Sequence, residues 1–432
     1  MKKLLFAIIC ILLPFIGIQA QITGVGKFQI YNTFSGIDYL VIFNGIDNNS
    51  EISYNGNGNI ILWYKYSDRT NPISNLKYIT PEDNTGYILD VDGKKYSIWV
   101  FDYREHLPEI TSVQPATAQE NDCENLKISI AIAHTNMVYE SLTGRKYTVD
   151  RFFNLEYQTL EWSEGDKKWI DKKVIVEIQL PVSALNIDAP LRDTHFIVSG
   201  DQFAVDLGLE PVSYTSTLYQ AKAVRCKITT TTSERTEKNE AERPDKTSLS
   251  GSSPLDVAFE SNGNVPITTF YRWEIKKNGQ TIISRNDQNH RYIFVESGTY
   301  NVVLRVSNSN QCAYSDSVTI NISTSALQVP NVFTPNGDGL NDEFRVGYKS
   351  LKSFECWVYN SWGRKVYYWN DPQKGWDGKI NGRDAAPGPY FYVIRAYGTD
   401  FDPKSERDKV TKRRVGEYLL KGDINLLRGA SE

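Results

Sequence analysis

Gly298-Thr299-Tyr300-Asn301-Val302-Val303-Leu304-Arg305-Val306 places Tyr300, Val302, Leu304 and Val306 on one face and Asn301, Val303 and Arg305 on the other. A period of two over this length marks a strand with one buried face. The neighbouring stretches read alike. Tyr271-Arg272-Trp273-Glu274-Ile275 is a strand, Lys276-Lys277-Asn278-Gly279 turns the chain, and Gln280-Thr281-Ile282-Ile283 returns. Tyr292-Ile293-Phe294 follows, closed by the turn Glu296-Ser297-Gly298. Farther upstream, Tyr87-Ile88-Leu89-Asp90-Val91 and Tyr96-Ser97-Ile98-Trp99-Val100 flank Asp92-Gly93. An Asp-Gly pair between two such runs is a strong hairpin signal. Leu126 to Ile132 and Val174 to Ile178 alternate as well, and Trp162 and Trp169 bracket the polar turn Ser163 to Asp166. The expected class is all-β, built as tandem immunoglobulin-like β-sandwich modules.

Length and composition agree with several such modules. A chain of 432 residues exceeds one core and suggests about two to four domains. Nine Trp, 26 Tyr and 18 Phe supply ring surface for thin cores, whereas four His leave few imidazoles for chemistry. A formal charge of −4 excludes a polybasic nucleic-acid binder as the default, so no nucleic-acid partner is expected.

Lys2 and Lys3 lead into the apolar run Leu4 to Ile18, ending at Ala20. This is the layout of a secretory signal peptide over residues 1–20, cleaved near Ala20. Loss of the two lysines takes the charge from −4 to −6. No later run is long and apolar enough for a transmembrane segment after signal removal. The mature chain divides into a β-sandwich over 21–106, a second over 107–224, a polar stretch with a third sandwich over 225–326, and a last module over 327–432. The Thr-, Ser-, Glu-, Lys- and Arg-rich run from Thr229 to Pro254 reads as a linker or a long loop, with the linker favoured. Cys123, Cys226, Cys312 and Cys356 are widely spaced without a CxxC pair, which argues against zinc. Disulfides and free buried thiols both remain open, and no pairing is singled out.

Two stretches resemble known families. Trp273 in its strand and the Gly298-Thr299-Tyr300-x-Val302-x-Leu304-x-Val306 run resemble a PKD domain, an Ig-like sandwich. Lys276-Lys277-Asn278-Gly279 stands where that family often has an acidic Gly-Asp-Gly turn. The resemblance implies a spacer and offers no catalytic residue.

The last hundred residues are more specific. Asn331-Val332-Phe333-Thr334-Pro335-Asn336-Gly337-Asp338-Gly339-Leu340-Asn341-Asp342 opens the module. Asn360-Ser361-Trp362-Gly363, Gly375-Trp376-Asp377-Gly378, Pro387-Gly388-Pro389-Tyr390-Phe391-Tyr392 and Lys421 to Arg428 follow in order. The set is similar to the gliding-motility-associated C-terminal domain of Bacteroidetes, the type B sorting signal of the type IX secretion system. Ser361 stands where the family usually has Arg. The resemblance implies type IX secretion machinery as partner, export across both membranes, and a destination at the cell surface or outside. Its motif residues here are Asn331, Phe333, Thr334, Pro335, Asn336, Gly337, Asp338, Gly339, Asn341, Asp342, Asn360, Trp362, Gly363, Trp376, Asp377 and Gly378.

The same residues have a physical reading. Asn336-Gly337-Asp338-Gly339 favours a tight reversal built on Asx turns. Tyr390-Phe391-Tyr392-Val393-Ile394 reads as a strand buried on both faces. Oxygens of Asn336, Asp338, Asn341 and Asp342 are weak Ca²⁺ candidates, but the twelve-residue loop and bidentate Glu of an EF-hand are missing, so a structural turn is favoured. No other metal and no cofactor are expected.

Signatures of catalysis are sparse. There is no Gly-x-Ser-x-Gly elbow, His-Glu-x-x-His or Walker loop. His106, His134, His195 and His290 are isolated, and a dyad of Cys123 with His134 or His195 is the one cysteine–histidine pairing to weigh. Glu156, Glu161, Glu164 and Asp166 crowd near a polar turn, where solvated acids sit, although a glycosidase needs only two carboxylates. Trp162 and Trp169 read as core residues, with sugar stacking as the rival. The expectation is a non-enzymatic surface protein whose first two modules bind a surface protein or a glycan. An accessory subunit of the secretion or gliding machinery and a small hydrolase within 107–224 are the alternatives.

Overall fold

The computed structural model describes residues 22–115 and 123–428. The signal segment 1–20 lies outside the described residues. Strand accounts for about 52% of the chain and helix for about 2%, so the protein is all-β.

The first sandwich packs the sheet Ile22–Val25, Glu51–Tyr54, Tyr78–Ile79 on a five-stranded sheet ordered Phe28–Tyr31, Tyr39–Phe43, Lys94–Asp102, Thr85–Val91, Ile61–Lys65. Asp92-Gly93 joins its central hairpin with Val91 opposite Lys94. Both turn residues have positive φ, 50° and 89°, which is why an Asp-Gly pair serves there. Trp63, Tyr87, Leu89 and Ile98 are fully buried between the sheets.

The second sandwich sets Ala184–Asp188, Asn125–Ala133, Glu109–Pro115 against Lys168–Gln179, Phe152–Ser163, Ile197–Gly200, Val212–Thr215. Its core gathers Ile128, Phe153, Leu155 and Phe196. The third sets Cys226–Thr232, Leu255–Gly263, His290–Phe294 against a sheet whose centre is Ala313–Ile322, Gly298–Ser307 and Phe270–Lys277. Trp273 fills that core beside Phe259, with ring centroids 5.8 Å apart. The last module is a five-stranded sheet ordered Val332–Phe333, Glu417–Leu426, Gly388–Gly398, Leu351–Tyr359, Lys365–Trp369. It closes over Phe344, Trp369 and Trp376.

The joints between modules differ in chemistry. At the first, Leu40, Ile42 and Phe101 of the front sheet and Tyr103 just after it bury against Met137, Tyr139, Val149 and Phe203 of the second module. An ion pair sits inside this apolar seam. Arg151 Nε donates to Asp201 Oδ2 at 2.5 Å with both side chains almost fully enclosed, and Tyr103 OH donates to Asp201 Oδ1 at 2.8 Å. Arg151 Nη1 also caps the His106 carbonyl at 2.9 Å.

At the second joint, Cys123 and Cys312 form a disulfide that spans 189 residues of sequence. The hairpin Phe152–Ser163/Lys168–Gln179 reaches across, and the Trp169 indole donates to the Asn262 carbonyl at 3.0 Å. Trp162 and Trp169 are therefore not core residues of the second module. They pack edge-to-face, 5.5 Å apart, on a hairpin long enough to lean on its neighbour. Cys226 and Cys356 are buried free thiols, and burial pushes Cys226 up to about 12, which leaves it protonated and inert.

The third joint corrects the linker reading of 229–254. Thr229 to Thr232 belong to the strand Cys226–Thr232, and the following residues form a strap across the last module. Ala241 N–H donates to the Tyr348 carbonyl at 2.8 Å, and Tyr348 N–H returns to the Asn239 carbonyl at 3.1 Å. Asn239 Nδ2 binds the Val346 and Pro372 carbonyls, Lys349 pairs with Glu242 at 2.5 Å, and Arg235 pairs with the buried Glu240 at 2.6 Å. Polar side chains order this segment because their partners come from both flanking modules. Apolar burial is not what holds it.

The strand Gly388–Gly398 also departs from expectation. Tyr390 and Ile394 are buried, but Phe391 between them is 46% exposed. Among the described residues no second sheet covers Phe391.

Candidate recognition end of the C-terminal module

Strand direction gathers the motif loops at one end of the last sheet. Tyr359 lies opposite Phe391, Phe391 opposite Asp423, and Gly388 opposite Leu426. Phe333 pairs in parallel with Leu426 at the same end. The loops that leave there are 334–342, 360–364 and 378–387, together with Arg428. The opposite end, where Leu351 faces Gly398, adjoins the third module: Ser350 N–H donates to Ser252 Oγ at 2.8 Å and Ser350 Oγ accepts from Ser253 N–H at 3.1 Å. The loops 360–364 and 378–387 thus lie at the end away from Ser252 and Ser253, whereas Gly339, Asn341 and Asp342 of the loop 334–342 share a cavity with Lys238 and Asn239 of the strap.

Most motif side chains build these loops. Phe333 and Trp376 are enclosed, 5.4 Å apart, and the Trp376 indole donates to the Lys379 carbonyl at 2.8 Å. Asp342 turns its carboxylate inward, accepting from the N–H of Gly337 at 2.6 Å, Gly339 at 2.7 Å and Asn336 at 3.0 Å. Those amides, Gly337 and Gly339 first, hold its carboxyl below the usual range. Asp338 accepts from Leu340 N–H at 2.7 Å and from Asn336 Nδ2 at 2.8 Å. The Asn341 carbonyl accepts from Thr334 N–H at 2.8 Å, and Asn331 accepts from Asn425 N–H at 2.9 Å. The oxygens considered for Ca²⁺ are engaged by the loop's own donors. Among the described residues no group of three or more His, Cys, Asp and Glu could hold a metal ion.

Asn360 Oδ1 accepts from Trp362 N–H at 3.1 Å and Arg364 N–H at 2.9 Å, with Gly363 at a φ of 78°. That turn throws Trp362 outward, 90% exposed, and Leu340 on the loop 334–342 is 70% exposed. Asp377 accepts from Lys379 N–H at 3.0 Å. At Gly378 a Cβ would meet Pro335 at 3.0 Å and Leu426 at 3.2 Å, so glycine is needed for the loops to touch.

Arg428 is the residue that motif reading missed. Its guanidinium donates to the Pro335 carbonyl at 3.2 Å and the Gly378 carbonyl at 3.0 Å, and pairs with Asp384 at 3.2 Å. One side chain therefore clasps two of the motif loops, 334–342 and 378–387. Only its place at the end of the quoted closing run hinted at this.

Two family profiles match the chain. One, a fibronectin type III domain, covers residues 115–216. The other, a CHU_C type IX secretion signal domain, covers 327–410 and with it the loops just described. The C-terminal module is a type IX secretion signal domain. Such a domain implies export to the cell surface or the extracellular space and contact with the secretion machinery. No curated protein sequence matches the chain. Among solved structures, a tetra-tandem repeat from the extending region of a large adhesion protein overlaps 90% of this chain and 98% of its own, at 12% identity and a TM-score of 0.21. The four N-terminal Ig domains of Dscam1 isoform 6.44 overlap 94% and 99%, at 11% identity and a TM-score of 0.23. Overlaps this loose carry no argument about arrangement. Among the described residues no helix is long and apolar enough to cross a membrane.

Upstream of the type IX signal domain, the acids weighed for hydrolysis sit in lysine pairs. Glu156 pairs with Lys173 at 2.7 Å, Glu161 with Lys172 at 2.6 Å and Glu164 with Lys167 at 2.8 Å. The Lys167 hydrogen bond holds Glu164 below its ordinary value, opposite to what a general acid requires. Asp166 accepts from Ser163 Oγ at 3.0 Å. Cys123 is consumed by its disulfide, which removes the nucleophile from the proposed dyad. His134 Nδ1 lies 3.3 Å from the Ile132 carbonyl, and His195 Nδ1 2.9 Å from the Ser216 carbonyl.

Proposed function

We propose that the chain is a non-enzymatic surface protein whose type IX signal domain is read at its free, motif-bearing end. The observation behind this is the arrangement at that end. Arg428, Asp342 and Asn360 spend their hydrogen bonds on loop shape, and the shaped loops present Trp362 and Leu340 to solvent. A rigid frame holding an exposed indole is what a receptor can recognise without a chemical step. The fibronectin type III and Ig-like modules upstream fit an adhesion-type role, with a surface protein or a glycan as ligand. Lysine-paired acids and a disulfide-bound Cys123 favour binding over hydrolysis.

Removing residues 327–432 from the full chain in a type IX-competent host tests this. The shortened chain is expected in the periplasm while other cargo still leaves. Release of the shortened chain to the medium or surface would overturn the reading. Retention of all other cargo on deletion of the whole gene would favour the accessory-subunit alternative.

A further inference from the structure

The final strand of the signal domain, Glu417–Leu426, is an edge strand over most of its length. Its inner side pairs with Gly388–Gly398 throughout, from Gly388 opposite Leu426 to Tyr397 opposite Glu417. Among the described residues its outer side pairs as a strand only with the two-residue Val332–Phe333, whose register lies at Asn425 and Leu426. Asn425 N–H donates outward to the Asn331 carbonyl at 2.9 Å and Leu427 N–H to the Phe333 carbonyl at 3.1 Å. Backbone groups alternate sides along a strand, so the amides and carbonyls of Asp423, Lys421 and Leu419 point the same way. Among the described residues none of these six groups has a hydrogen-bond partner. The open stretch begins one pair short of the motif-bearing end.

We propose that Leu419, Lys421 and Asp423 pair by their backbone with an extended strand of the secretion machinery, which continues the sheet where Val332–Phe333 leaves off. This inference rests on the signal-domain reading. The occupant follows from the chemistry of the edge: unpaired donors and acceptors spaced along an extended chain are satisfied in full only by another extended chain. Val332–Phe333 shows that the edge accepts such a partner. The side chains agree. Leu419, Lys421 and Asp423 are exposed, while Leu420, Gly422 and Ile424 turn toward the core. An incoming strand would meet one apolar, one cationic and one anionic residue, a pattern that fixes register better than a uniform edge.

Proline separates the backbone from the side chain. Pro is tolerated where an edge N–H faces solvent, so Lys421→Pro should leave the signal domain folded while removing one docking donor. Export of the full chain is expected to fall about tenfold or more, with thermal unfolding unchanged. Lys421→Ala restores the N–H and should restore export with it. Leu419→Pro repeats the test should Lys421→Pro lower stability. Normal export of both folded proline variants, with the chain lacking 327–432 still retained, would overturn strand pairing and leave the signal-domain reading intact. Export of the shortened chain would defeat that reading itself. Equal loss in Lys421→Ala and Lys421→Pro would assign recognition to the ammonium. A purified full-length dimer that Lys421→Pro dissolves would identify a second copy as the occupant. Either result contradicts the proposal.

Discussion

The first and third joints solve one problem with opposite chemistry. Between the first two modules an apolar seam of Leu40, Ile42, Phe101, Met137 and Phe203 encloses Arg151 and Asp201, which are 2% and 0% exposed. Between the third and fourth, a polar strap does the holding, and its Glu242 side chain is 52% exposed where it meets Lys349. A buried ion pair cannot be traded for water, so breaking it is costly. A half-exposed one exchanges readily with solvent and salt. The first joint is thus closed by an apolar seam around a buried pair, while the third combines the exposed Lys349–Glu242 pair with the enclosed Arg235–Glu240 pair and the buried Ser350–Ser252 bond.

The comparison breaks first at Asp201. Asp201→Ala strands Arg151 in the seam and should destabilise the first two modules by about 3–5 kcal/mol, read by chemical denaturation of the full mature chain. Replacing both residues with apolar ones should recover much of that loss. A small effect for Asp201→Ala alone would mean that the seam is open to water.

The second joint comes next. The Cys123–Cys312 disulfide closes a long loop, and Cys123→Ser should lower stability by about 2–4 kcal/mol with the third module's unfolding most affected. Reduction of the wild type should match it, while Cys226 and Cys356 stay unreactive to thiol reagents until the chain unfolds. Rapid labelling of either in the folded protein would contradict their burial.

The polar joint should respond least, and to pH. Hydrogen bonds from Lys349 and then Ser323 hold the Glu242 carboxyl below its ordinary 4.5. Its folded value is depressed, so the contribution is complete above about pH 4.5 and lost as pH falls through the folded value. The size is at most about 1 kcal/mol because the pair is exposed. Limited proteolysis within 235–253 should therefore quicken only below about pH 4.5, between pH 5 and pH 3, and Glu242→Gln should flatten that dependence. A strap equally resistant at both values would show that Asn239 and Ala241 hold it alone.

What the sequence revealed follows the range of the interactions. The Asp92-Gly93 hairpin was legible because the turn's positive φ values are a local demand that those two residues meet. Trp273 and the alternating strand after Gly298 were legible because one buried face leaves its period in the chain. Thr229 to Pro254 misled because composition records the lack of apolar surface but not that Asn239 and Glu242 reach the last module while Glu242 also accepts from Ser323 of the third. Trp162 and Trp169 misled because a ring at a hairpin tip looks like a core ring until the neighbouring Asn262 is in place. Phe391 was misread because strand sequence does not show whether a second sheet covers the outer face. At the recognition end, Asn336, Asp338 and Asp342 were legible as turn makers from their type and spacing. Arg428 was not, since its partners lie 93 and 50 residues away in the chain.

The most direct test is the location of full-length Trp362→Ala in a type IX-competent host. Trp362 is 90% exposed, so its loss should leave the fold and the thermal midpoint unchanged. The account predicts that the folded variant accumulates in the periplasm. Delivery to the cell surface at the wild-type level would contradict it.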